Sequence, residues 1–135
     1  MLQAKLVICV LSAFIGTGAF TVSKAVASGD RASQVDFFET KIRPVLIKHC
    51  YECHSAEEGS KIKGGLRLDH REGWQVGGDS GAALIPGNSR DSLLVKAVHY
   101  RDPDLQMPPK KKLSKADIAV LERWISEGAH DPRET

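Results

Sequence analysis

Apolar and polar residues follow distinct rhythms along this chain. Phe37, Phe38, Ile42, Val45 and Leu46 recur at helical spacing, which predicts a first helix with one buried face. Its start falls at Ser33 or Asp36, either of which carries an oxygen able to cap a first turn. Pro44 interrupts the stripe and is expected to kink or reset the helix, because proline has no N–H to return to the preceding turn. Leu93, Leu94, Ala97 and Val98 make a second stripe, capped by Ser89 and ended by Asp102-Pro103. Ile118, Leu121, Trp124 and Ile125 make a third; Ser114 with Asp117 opens it as an acidic capping box, and Gly128 stops it.

Between the stripes the pattern changes. Ser55 to Gly65 is charged or small and reads as a surface loop. Leu66 and Leu68 alternate with Arg67 and Asp69, the signature of a short extended piece. His70 to Gln75 suits one helical turn around Trp74, and Gly77, Gly78, Gly81, Pro86 and Gly87 punctuate a loop whose apolar centre is Ala82 to Ile85. No repeat or low-complexity segment interrupts this order. Trp74 and Trp124 are expected to pack in the core, and Asp131-Pro132 and the tail are expected to fray.

The N-terminus has a different rhythm again. One lysine in Met1 to Lys5 is followed by the uncharged run Leu6 to Phe20, then by Ala25-Val26-Ala27, small residues of the kind a signal peptidase reads. This predicts a secretory signal peptide over residues 1–27, cut before Ser28 and taking Cys9 with it. The alternative, an uncleaved membrane anchor, would need roughly 20 apolar residues, more than this run offers. Residues 28–35 then form a flexible tail, 36–132 a single small domain with a modest core, and 133–135 a last tail. A formal charge of +2 argues against nucleic acid as a partner.

Chemistry concentrates in Cys50-Tyr51-Glu52-Cys53-His54. Two thiols three positions apart with a histidine directly after the second is the attachment signature of a c-type haem. Each thiol can form a thioether to one vinyl arm of the macrocycle, and the adjacent imidazole then serves as proximal iron ligand. A disulfide would leave His54 unexplained, and a zinc site needs four good ligands. For the other face of the iron, Met107 is the single methionine beyond Met1, restrained by Pro108 and Pro109. A thioether favours ferrous iron and raises the reduction potential. The competing ligand is His99, which would give a bis-histidine haem; His49, His70 and His130 are expected to be exposed. The second ring nitrogen of His54 is expected to donate to a backbone carbonyl, with Pro86 in a loop suited to supply it. Arg67 is either a partner for a haem propionate or an ordinary surface arginine.

These residues resemble the planctomycete-type cytochrome c domain, a branch of the class I cytochromes c. The matching stretches are Ile42-Arg43-Pro44-Val45-Leu46, Cys50 to His54, Lys63-Gly64-Gly65-Leu66-Arg67-Leu68-Asp69, Gly78-Asp79-Ser80-Gly81, Ile85-Pro86-Gly87, Ser92-Leu93-Leu94 and Leu105-Gln106-Met107-Pro108-Pro109. The resemblance implies an all-α fold of three to five helices with long loops, its first and last helices packed together around one covalent haem c held between His54 and Met107. It further implies a monohaem electron carrier rather than an enzyme. The alternative is a peroxidase-like haem enzyme or ligand sensor with an open sixth position, for which no paired distal acid–base groups stand out. In that family the domain often opens a much longer protein; alone, it is expected to be a small diffusible monomer, periplasmic or otherwise extracytoplasmic and not inserted in a membrane once its leader is cut. Lys110, Lys111 and Lys112, just beyond Met107, are expected to steer acidic redox partners, or else to form a solvated loop.

Overall fold

The computed structural model describes residues 23–134. The signal-peptide run therefore lies outside the described residues, apart from its last few positions. Among the described residues the chain is all-helical, with long loops and no paired strand. Helix α1 spans Ser23–Phe37 and runs without a break into a π-helical turn, Phe38–Ile42, and then α2, Arg43–His49. The helix thus begins earlier than Ser33 or Asp36, and takes in the stretch expected to be a flexible tail. Pro44 lies near the start of α2 but inside the continuous helix, where it lacks the N–H that would bond to the preceding turn. Ahead of it the helix widens, and the Arg43 N–H reaches back to the Phe38 carbonyl. That widening is the reset the proline predicts.

A four-residue helix, α3 (Tyr51–His54), follows directly, and a 3-10 turn over Lys63–Gly65 leads into an extended ribbon at Leu66 to Leu68. Helix α4 is Arg71–Val76, α5 is Leu93–His99 and α6 is Lys115–Ser126. The capping box at α6 forms as read: Ser114 Oγ accepts from the Asp117 N–H at 3.1 Å and donates to Asp117 Oδ2 at 2.7 Å. The start of α5 differs from expectation. Asn88, not Ser89, caps the preceding turn, accepting from the Asp91 N–H at 3.2 Å. Helix α5 itself begins after the buried Ser92, whose hydroxyl points inward to accept from the Ile85 N–H at 2.8 Å and donate to the Asn88 carbonyl at 2.7 Å.

The core forms where the π turn and α6 cross. Phe38 and Trp124 pack with ring centroids 5.8 Å apart, and Trp74 meets Trp124 edge-on at 6.1 Å. Edge-to-face and tilted contacts suit the aromatic quadrupole and bury large apolar area. Ile42, Leu46, Leu121 and Ile125 close around them. Both tryptophans are core residues, as expected.

The C-terminal segment departs most from the sequence reading. Asp131 is 1% exposed and accepts from Trp74 Nε1 at 3.0 Å, from Arg133 Nε at 2.9 Å and from Arg133 Nη2 at 2.6 Å. Arg133 lies over the Phe38 ring and donates to the Tyr51 hydroxyl. Rather than fraying, the tail is bolted to the aromatic cluster, because a buried carboxylate with three side-chain donors is satisfied only in this geometry. No helix among the described residues is long and apolar enough to cross a membrane.

Candidate functional site

Helix α2 delivers the cysteine motif from the packed core into a sharp turn. The Cys50 N–H donates to the Leu46 carbonyl at 2.8 Å, and the Cys50 carbonyl then accepts from Cys53 at 3.1 Å and His54 at 2.9 Å. Tyr51 is buried and anchors the turn, leaving both thiols and the imidazole to line one cavity of about 440 Å³. Both cysteines are free thiols. Burial, with a smaller push from Cys53, raises the Cys50 thiol to about 12.

The ribbon from Leu66 to Leu68 runs along His54. The Leu68 N–H donates to the His54 carbonyl at 2.7 Å, and His54 Nδ1 lies 3.3 Å from the Leu66 carbonyl. With the proton on Nδ1 that contact is a hydrogen bond, and Nε2 keeps its lone pair for a metal. Glycines fix the ribbon's course. A Cβ on Gly78 would stand 2.4 Å from the Gly64 carbonyl oxygen, and the Asp79 N–H donates to that same oxygen at 2.7 Å. The family-like Lys-Gly-Gly and Gly-Asp-Ser-Gly stretches are therefore two halves of one close backbone contact.

Met107 reaches the same cavity from the loop after α5. Tyr100 ends α5 in the left-handed region (φ 58°) and its hydroxyl donates to the Pro108 carbonyl. The Met107 N–H donates to the Ala97 carbonyl at 3.2 Å, and Lys112 Nζ donates to the His99 carbonyl at 2.6 Å. The loop is tied down on both sides of the methionine, which is itself 38% exposed. Leu66, Leu68, Leu94, Ala97 and Val98 supply apolar walls. A cavity of this size falls within the roughly 300–1,000 Å³ of small-molecule sites. Two cysteines, a histidine and a methionine lining one largely apolar space are a donor set that fits a covalently held haem.

Other expected site residues lie elsewhere. His99 Nε2 is 2.8 Å from Glu122 Oε1, and His99 lines a separate depression with Lys112 and Leu113. Arg67 forks onto Asp69, through Nε at 3.1 Å and Nη2 at 2.9 Å, and does not line the cavity. Pro86 does not line it either; the turn it occupies is tied to α6 by the Gly87 N–H and the Ile125 carbonyl at 2.7 Å. The acceptor at His54 is Leu66, which sequence reasoning placed only as part of an extended piece. Lys110 and Lys111 line the cavity but Lys112 does not, and Lys48 and Lys63 join them. His49 is half-buried and also lines the cavity, where exposure was expected.

No curated protein and no solved structure matches the chain. A family model does: residues 50–111 match the family described as Planctomycete cytochrome C. That stretch holds the cysteine motif, the Leu66 ribbon and Met107. The sequence resemblance and the helical fold around one cavity lined by the two cysteines and His54 agree with the match, and over this stretch the chain is similar to that family.

Proposed function

We propose that the protein is a monohaem electron carrier working outside the cytoplasm, its haem c linked to Cys50 and Cys53 and its iron ligated by His54 and Met107. The observation that carries this reading is the meeting of Cys50, Cys53, His54 and Met107 on one apolar-walled cavity. Bound there, the haem would supply an iron that accepts and returns one electron. The chain's own contribution is to hold its ligands still. The Leu66 carbonyl orients the His54 ring, and the braced loop restricts Met107, so little rearrangement accompanies a change of charge. His99 is committed to Glu122, which favours Met107 over the bis-histidine alternative. The extracytoplasmic placement rests on the leader expected over residues 1–27.

Partners are proposed to be acidic redox proteins. Lys48, Lys63, Lys110 and Lys111 all line the cavity and are exposed, whereas Glu52 is the one acidic residue that lines it. Its 3.1 Å pair with Lys110 is between two well-exposed side chains and is screened by solvent. A positive collar of this kind steers negatively charged surfaces by long-range attraction.

The test is an absorption spectrum of protein matured with haem, oxidised and then reduced. A low-spin spectrum with a weak near-infrared sulfur-to-iron band, lost in Met107→Ala and retained in His99→Ala, establishes the His54/Met107 carrier. A high-spin spectrum that shifts with carbon monoxide in the unaltered protein refutes it and points to an open iron.

A further inference from the structure

Three hydrogen bonds stitch the Leu66 ribbon to the end of the cysteine motif. His54 Nδ1 faces the Leu66 carbonyl at 3.3 Å, the Leu68 N–H reaches the His54 carbonyl at 2.7 Å, and the Ala56 N–H reaches Asp69 Oδ2 at 2.8 Å. The first two end on His54 itself. The third is the only one of these in which a side chain of the ribbon takes part, and it closes the ribbon two residues beyond the histidine. Asp69 is well placed for it: its side chain is 11% exposed and is held by the Arg67 fork and by His70 Nδ1 at 2.9 Å. A carboxylate gripped by a planar guanidinium keeps one rotamer, so the acceptor offered to Ala56 is fixed in space.

From this geometry we infer that Asp69 is a positioning residue for the proposed His54 ligand, with Arg67 as its brace. This rests on the reading of His54 as an axial ligand. The Ala56–Asp69 bond locks the ribbon's register on the His54 turn, and that register aims the Leu66 carbonyl at Nδ1. A carbonyl accepting from Nδ1–H gives the imidazole more basic character and favours the higher oxidation state of a bound metal. Without the lock the ribbon loosens from its Asp69 end, the carbonyl drifts from the ring, and the ferrous state gains. Arg67, which the sequence left open between a propionate partner and a surface arginine, is forked onto Asp69 here.

The inference is tested on haem-loaded protein with Asp69→Ala, Asp69→Asn and Arg67→Gln. Two quantities are read: the reduction potential, and solvent exchange of the His54 Nδ1 proton in ¹⁵N-histidine-labelled protein. In Asp69→Ala the ferrous-to-ferric ratio at fixed potential should rise about tenfold, a shift of about 59 mV for a one-electron couple, with faster exchange of the ring proton. Asp69→Asn keeps an oxygen for the Ala56 N–H and should recover much of both. Arg67→Gln, at a partly exposed site, leaves the fold intact and should move both readouts in the same direction by less. A potential and exchange rate unchanged in Asp69→Ala and Arg67→Gln, even if stability falls, overturn the positioning role and leave the haem reading standing. An unaltered protein whose iron lacks His54 overturns both.

Discussion

Replacing Asp131 by alanine should be among the most damaging single changes in the domain. The carboxylate accepts from Trp74 Nε1 at 3.0 Å, from Arg133 Nε and Nη2 at 2.9 and 2.6 Å, and from the Arg133 N–H at 2.9 Å. Alanine leaves the indole N–H without its acceptor and strands a guanidinium whose side chain is 9% exposed, with the Tyr51 hydroxyl and the Phe38 face for company. Breaking one side of a buried ion pair costs about 3–5 kcal/mol. Taking about 4 kcal/mol for a domain of roughly 100 residues, Tm falls by on the order of 20 °C. Arg133→Met in the same background removes the stranded charge and should restore part of the loss, a coupling that a double-mutant cycle isolates. The pH dependence adds a second check. Burial pushes the Asp131 carboxyl up, but its bonds from Arg133 and Trp74 outweigh burial and hold it below the usual carboxylate range. A depressed folded pKa gives stability that is complete above the unfolded value near 4 and is lost as pH falls through the folded value. The gap between the unaltered protein and Asp131→Ala should therefore be widest near neutrality and shrink below about pH 4. Asp69, lowered by Arg67, the Ala56 N–H and His70 against its own burial, keeps titrating in both. Urea unfolding of the haem-loaded proteins, followed by circular dichroism, measures the difference. A loss under about 1 kcal/mol, or a gap that does not narrow in acid, would refute the buried-clamp account.

Two further outcomes follow from the cavity and its ribbon. Reversing Lys63 and Lys111 to glutamate should slow oxidation by ferricyanide, an anionic oxidant, by about tenfold at low salt, and should flatten the salt dependence of the rate; an unchanged salt slope would remove the lysine collar from the docking surface. Gly78→Ala should destabilise the domain by about 1–3 kcal/mol, because the new Cβ meets the Gly64 carbonyl oxygen at 2.4 Å and Leu66 Cβ at 3.0 Å, and an unaltered urea midpoint would show that the two loops do not bear on each other.

What was legible in the sequence and what was not divide along a physical line. The stripes Phe38-Ile42-Leu46 and Ile118-Leu121-Ile125 foretold the buried faces, because burial selects side chains by type and a helix repeats them at fixed spacing. Cys50, Cys53, His54 and Met107 stood out because sulfur and imidazole are scarce and chemically distinct, and the fold brings all four to one cavity. Asp131 and Arg133 escaped notice, since two charged residues at the end of a chain look like solvated ones until the indole, phenol and phenyl groups that enclose them are placed. Arg67 was left open between a propionate partner and a surface arginine for a related reason: its partner Asp69 lies two residues away, and the extended backbone that brings them together is a tertiary outcome.

The Leu66 carbonyl marks the deeper limit. An orienting acceptor for a ligand histidine can be any residue's carbonyl, so residue type carries no trace of which one is used. Pro86 was a reasonable choice by loop placement, and the fold chose Leu66 by register. What the sequence did hold was the means of setting that register: Gly64 and Gly78, which permit two backbones to approach, and Asp69, whose side chain reaches the Ala56 N–H. Residues that touch no cofactor can thus be as informative about a site as its ligands, once it is asked which backbone atom their packing delivers.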